Sequence, residues 1–216
     1  MFPIRDSQPS GIAPVTCWLL ILANVMVLLW GASIGGPSYE RVVQQFGLVP
    51  AAFSVAPLES VGTIFSSMFL HAGLLHLLGN MWFLHVFGDN AEARAGHVPF
   101  LVLYLGAGVA GGVLCLVAAP ESNLPTIGAS GAVAGVLGAY LIWFPSARIN
   151  TLVGFAFYWR TIPVRAWLFI GFWFALQLLG WSGGDGGVAW GAHVGGFVVG
   201  VLWAVVAGRG PRTIVD

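Results

Sequence analysis

Lysine is absent from this 216-residue chain: all eight basic residues are arginine, and charged residues of any kind make up only 7%. Soluble domains are about a quarter charged. So few charges cannot cover a surface in water, which excludes an ordinary soluble globule. Net charge is zero, which argues against nucleic acid as a partner, because neutralising phosphates takes a basic patch. Cysteine is scarce too. Cys17 and Cys115 both lie in apolar runs, without the spacing of a metal site or a disulfide framework. The HExxH motif of helical zinc proteases is missing, and no apolar run holds an aspartate, as a buried aspartyl pair would require. Neither metal nor cofactor is expected.

What the chain has instead is hydrophobic residues, at 58%. A spanning helix takes roughly 20 mostly apolar residues. Six such runs occur, at about 15–34, 71–88, 98–118, 128–144, 165–181 and 188–208. The expected fold is an all-α, six-helix membrane bundle over 15–208, with short cytoplasmic tails at 1–14 and 209–216. The first run is longer than a signal-peptide core and has only Arg5 before it, so a retained helix is expected. Seven arginines (5, 94, 148, 160, 165, 209 and 212) fall on one side of this layout and only Arg41 on the other. Arginine-rich connections stay in the cytoplasm, so both termini are expected there. A multi-pass protein of a bacterial inner membrane fits, on the minimal core and the lack of a targeting extension. The first connection, about 35–70, is long and apolar enough to lie in the membrane interface. The fourth, TLVGFAFYWRTIPVR, mixes aromatics with arginine and reads as an interfacial anchor.

Polar residues inside spans are costly and mark function. Here they are His71, His76, Asn80, His85, Ser130, Gln177 and His193. Taken alone, Ser130 in GASGAVAG reads as a packing serine, and Gln177 as a helix-to-helix hydrogen bond. Depth changes that. At about 1.5 Å per residue, Ser130, His193 and His76 stand roughly 21, 23 and 19 Å above the cytoplasmic edge. Three polar residues on three helices thus share a level, which packing does not require. His76 and Asn80 are four apart and share a face. His85 is half a turn out of phase, and His71 falls at the outer boundary, interfacial. Both are weak candidates.

Glycines complete the pattern. Gly131, Gly135 and Gly138 lie in the fourth run, and Gly191, Gly195, Gly196 and Gly200 in the sixth. Small residues four apart let backbones approach, which would bring Ser130 to His193. A neutral histidine beside a serine makes the hydroxyl a nucleophile. Gly128 and the polar stretch before it place a helix start near Ser130, where free amides favour an oxyanion. His76 and Asn80 would add donors from the facing helix.

At these residues the chain resembles the rhomboid family of intramembrane serine proteases. GASG (128–131) matches its GxSG nucleophile motif, AHVGGFVVG (192–200) its histidine motif with Gly196 and Gly200, and HLLGN (76–80) its HxxxN motif. The resemblance covers nearly the whole chain from about residue 15. It implies cleavage of peptide bonds in or beside the transmembrane helices of single-span or multi-span membrane-protein substrates within the lipid bilayer. Ser130 would be the nucleophile, His193 the base and acid, and His76, Asn80 and the Ser130 amide the oxyanion donors. Gly128, Gly131, Gly135, Gly196 and Gly200 would be packing glycines. The site would open to the periplasmic or extracellular side.

Two departures stand out. The aromatic that some members carry four residues after the serine, stacked on the histidine, is Ala134 here. The Trp-Arg pair of some first connections is also missing. Asp185 reads as a solvated turn residue, and Glu92 and Arg94 as structural groups. A transporter would explain the polar residues but calls for broken helices or charged pathways. A catalytically silent rhomboid-like binding or quality-control factor is the main alternative, although such proteins lack the serine or the histidine.

Overall fold

The computed structural model describes residues 1–155, 158–182 and 188–208. The chain opens with strand β1 (Phe2–Asp6) and helix α1 (Val15–Ile34). Short pieces follow: α2 (Gly36–Phe46), α3 (Pro50–Val55), α4 (Pro57–Ser60), α5 (Thr63–Ser66) and a 3-10 turn (Ser67–Phe69). Next come α6 (Leu74–Ala95), α7 (His97–Ala118) and α8 (Ser130–Trp143). A hairpin of β2 (Arg148–Phe155) and β3 (Tyr158–Arg165) leads to α9 (Ala166–Ser182) and α10 (Trp190–Ala207).

The six apolar runs each carry one of the longer helices. By length and composition α1, α7 and α10 can cross a membrane. A fourth crossing is possible if α6 and the bent segment before it, at 80°, form one span. α8 and α9 are apolar but shorter. The chain is thus a multi-pass, mostly helical membrane protein. α6 outruns its expected end at 88 and stops only at Gly96 (φ +89°). Hydropathy ends at Asp89, but the Ala-, Glu- and Arg-containing turns beyond it remain good helix formers.

The expectation of an all-α chain needs correction. β1, β2 and β3 form a three-stranded antiparallel sheet in that order. The segment 1–14, expected to be a tail, begins with a strand, Phe2 pairing with Leu152 and Asp6 with Ile149. The connection expected to be an interfacial anchor is the β2–β3 hairpin, in register from Arg148–Arg165 to Phe155–Tyr158. In β2 the β-branched residues Ile149, Thr151 and Val153 alternate. Ile149 and Thr151 are buried while Arg148 is exposed, the period of two that a half-buried strand needs.

α8 is the central helix, with every residue from Gly131 to Tyr140 buried. Such a position demands small side chains where neighbours cross. A methyl added at Gly196 would lie 2.7 Å from the Gly131 carbonyl carbon, and one at Gly200 2.6 Å from that of Gly135. α8 and α10 therefore meet backbone to backbone.

Buried charge ties the helix ends together. The fully buried Glu92 carboxylate accepts from the Thr16 and Cys17 amides at 2.8 and 2.7 Å, capping the start of α1, where a helix favours an anion. It also pairs with His97. Arg94 donates to the Gly208 carbonyl at 2.8 Å, past the end of α10. The first connection keeps apolar side chains outward, with Val55 86% and Leu58 91% exposed. Its anchor is Tyr39, which packs on Gly31 and whose hydroxyl donates to the His71 carbonyl at 2.9 Å.

Candidate active site

α8 starts at Ser130, and no side chain caps its first amides. The turn before it depends on Gly128. Its φ of +118° is open to glycine but strained for other residues. A methyl there would also fall 2.7 and 2.8 Å from ring atoms of His76. The Gly128 amide donates to the Ser67 carbonyl at 2.9 Å, fixing the turn to the first connection. With 14 residues, α8 is about 21 Å long, short of the roughly 30 Å hydrocarbon layer.

One cavity of about 1140 Å³ is lined by His76 and Asn80 from α6, Ser130 from α8, Trp173 from α9, and Trp190 and His193 from α10. All four residues singled out for chemistry thus share it. Gly131, next to Ser130, faces the carbonyl of Ala192, next to His193, with 3.1 Å from an added methyl to that oxygen. The residues next to the serine and the histidine thus bring α8 and α10 into backbone contact at the level of the cavity. Among the described residues, no three of His, Cys, Asp or Glu cluster as a metal site would need.

His193 is held from two sides. Its Nδ1 lies 2.8 Å from Gln177 Oε1 on α9. Its ring centroid is 6.0 Å from those of Trp173 and Trp190, tilted at 34° to the first and edge-on at 85° to the second. Ala134 is fully buried in α8, so aromatic support reaches the histidine from α9 and the start of α10.

His71, expected at the outer boundary as a weak candidate, is enclosed by protein. It is fully buried, edge-on to His76 with centroids 5.1 Å apart. The Asn80 side-chain N–H donates to its Nε2 at 3.1 Å. Spacing could not reveal this pair, because the chain breaks its helix between residues 69 and 74. An amide nitrogen has two N–H groups, so Asn80 keeps one beyond its bond to His71. His85 is exposed beside Trp82, away from the cavity. Asp185, Arg209 and Arg212 lie outside the described residues.

At the sheet, Asp6 accepts from Asn90 Nδ2 at 2.7 Å and from the Gln8 amide at 3.3 Å, and it also takes the Tyr140 hydroxyl. Burial raises its carboxyl above the ordinary aspartate value, and these hydrogen bonds only partly offset the rise.

Comparison with known proteins gives a family match. A family model described as Rhomboid domain matches residues 59–210. The chain is 30% identical over 196 residues to "Rhomboid protein 1, mitochondrial" of Saccharomyces cerevisiae, covering 86% of this chain and 51% of that protein. It is 32% identical over 199 residues to "Rhomboid protease GluP" of Bacillus subtilis, covering 90% of this chain and 35% of that protein. A third relative is "Putative rhomboid protease YdcA" of Bacillus subtilis, 36% identical over 141 residues, which are 65% of this chain and 67% of that protein. The chain therefore spans about half the length of the yeast relative and a third of GluP.

Proposed function

The chain belongs to the rhomboid family, and from that premise we propose that it is an intramembrane serine endopeptidase built on Ser130 and His193. In this reading Ser130 Oγ attacks the carbonyl carbon of a peptide bond in or beside a substrate's transmembrane helix, and its proton passes to His193 Nε2. The carbonyl oxygen becomes an oxyanion, met by the Ser130 amide, His76 and the remaining Asn80 N–H. The C–N bond then breaks as the imidazolium protonates the leaving amine. Water, deprotonated by the same histidine, then adds to the acyl carbon, and the histidine returns the proton to Ser130 Oγ as the ester C–O bond breaks. Oxyanion donors of this kind each contribute about 3–4 kcal/mol in well-formed sites.

The observation that carries the reading is the shared cavity, lined by a serine at a helix start, a histidine and two side-chain donors. The short α8 supports a recessed serine that water reaches from one face of the membrane. The names of GluP and YdcA support a protease. Six crossings with both termini cytoplasmic follow from the arginine distribution. Relatives come from mitochondria and bacteria alike, so this topology is proposed without tying it to one organelle.

Entry is assigned to the seam between α6 and α9. Trp173 lines the cavity and Phe172 is 53% exposed, so a substrate helix arriving from lipid meets Phe172 first. Shaving both to alanine should change cleavage rates, and unchanged rates would sink this route.

The deciding experiment uses the full chain in liposomes with a panel of single-span substrates and a serine-directed phosphonate. Wild type should cleave and be labelled, and Ser130→Ala and His193→Ala should do neither. Cleavage by Ser130→Ala at the wild-type rate would refute the mechanism. A wild type that binds substrates but never cuts them would favour the silent binding factor.

A further inference from the structure

We propose that Gln177 is the positioning residue of His193 and selects its tautomer, a role that rests on the protease reading above. Gln177 is buried on α9, and its Nε2 donates to the Trp173 carbonyl one turn back, at 2.8 Å. That bond decides which way the amide faces. Flipped, the amide would set its oxygen against the Trp173 carbonyl, two acceptors in contact with no proton between them. So Oε1 points at His193 Nδ1, 2.8 Å away. A carbonyl oxygen only accepts, and Nδ1 must therefore carry the proton. A neutral imidazole has one N–H, so Nε2 is left with its lone pair free. That is the atom a base needs for Ser130.

The same contact answers a need created elsewhere in the chain. With Ala134 buried in α8, no aromatic at that position braces the histidine. Trp173 supplies both a ring 6.0 Å from the imidazole and the carbonyl that orients Gln177. One turn of α9 therefore fixes the ring's position and its proton. The partner is a neutral amide, so it orients the imidazole without adding a full charge to stabilise the imidazolium. This separates it from a carboxylate partner and makes the role measurable.

The test compares wild type, Gln177→Leu and Gln177→Glu as full chains in liposomes. The readouts are kcat and KM against pH, melting temperature, and 15N-histidine NMR with His193→Ala to assign the signal. Wild-type His193 should show the Nδ1–H tautomer. Gln177→Leu should lose about tenfold or more in kcat with KM little changed, and Nε2–H should appear in its spectrum. Gln177→Glu keeps an acceptor for Nδ1 but loses the donor to the Trp173 carbonyl, so it should keep the Nδ1–H tautomer with a lower kcat than wild type. Its acid limb should move to higher pH, because an adjacent carboxylate stabilises the imidazolium.

An Nε2–H signal in wild type overturns the proposal, as does a Gln177→Leu kcat within twofold of wild type. Should Gln177→Leu melt early, the Glu variant decides, and an unmoved acid limb overturns the positioning role. Wild type that neither cleaves nor reacts with the phosphonate sinks the protease reading first and the positioning role with it. Wild type that cleaves with the wrong tautomer sinks the positioning role alone.

Discussion

Gly196→Ala tests the contact that brings the two halves of the site together. Gly196 lies three residues after His193, and its added methyl would fall 2.7 Å from the carbonyl carbon of Gly131, the residue after Ser130, and closer still to that oxygen. Ordinary contact begins near 3.4 Å, so α8 and α10 must separate by at least about 0.7 Å, and neither side is a flexible side chain. Overpacking of this kind costs about 1–3 kcal/mol. Replacing a helical glycine by alanine returns up to about 1 kcal/mol. With the full return, the net is up to about 2 kcal/mol of lost stability, or a melting temperature lower by up to about 8 °C for a chain this size. Activity should fall further than stability, because a misplacement of about 1 Å at reacting atoms costs about a hundredfold. The control is Gly106→Ala on α7, where an added methyl meets nothing within 4 Å. Thermal unfolding in detergent and cleavage in liposomes read the two effects. If Gly196→Ala matched Gly106→Ala in both, the argument from backbone contact would be refuted.

Three further outcomes follow from other parts of the structure. Gly128→Ala should abolish cleavage while leaving much of the fold intact, because it strains a φ of +118° and drives into the His76 ring; circular dichroism beside an activity assay separates the two. Glu92→Ala should lower stability by about 2–4 kcal/mol, since it strands two α1 amides and empties a fully buried site; normal melting would contradict the capping role. For Asp6, burial raises the folded-state carboxyl above the unfolded value. Its contribution is therefore fully present below pH about 4 and is lost as pH rises through the folded value. The melting temperature of Asp6→Asn minus that of wild type should accordingly increase from pH 4 toward neutrality, and a decrease would show the sign to be wrong.

Much of this protein can be read in one dimension. A chain without lysine and with 58% hydrophobic residues has no option but lipid, and hydropathy located every long helix to within a few residues at most ends. That Ser130, His76, Asn80 and His193 line one cavity was legible because depth along a helix is a linear count, and helices at a fixed rise turn residue number into height. The glycines of α8 and α10 were legible for a similar reason: a face without side chains is useful only where another backbone comes close.

Other features depend on which surfaces meet, and no linear count contains that. The sheet was missed because its strands come from residues 2–6 and 148–165, and a strand of five residues has little identity until a partner fills its hydrogen bonds. The partner of His71 was hidden because the residue precedes α6, and the 80° bend before that helix brings it onto Asn80. Gln177 had been recognised as a bond between helices. Only the packing of α9 on α10 shows that its partner is His193 Nδ1, and only the Trp173 carbonyl shows which end of the amide faces the ring. The sequence alone determined the solvent, the helices and the chemical groups at one level. Tertiary structure decided which atoms face one another, because hydrogen bonds are directional and depend on the placement of both partners.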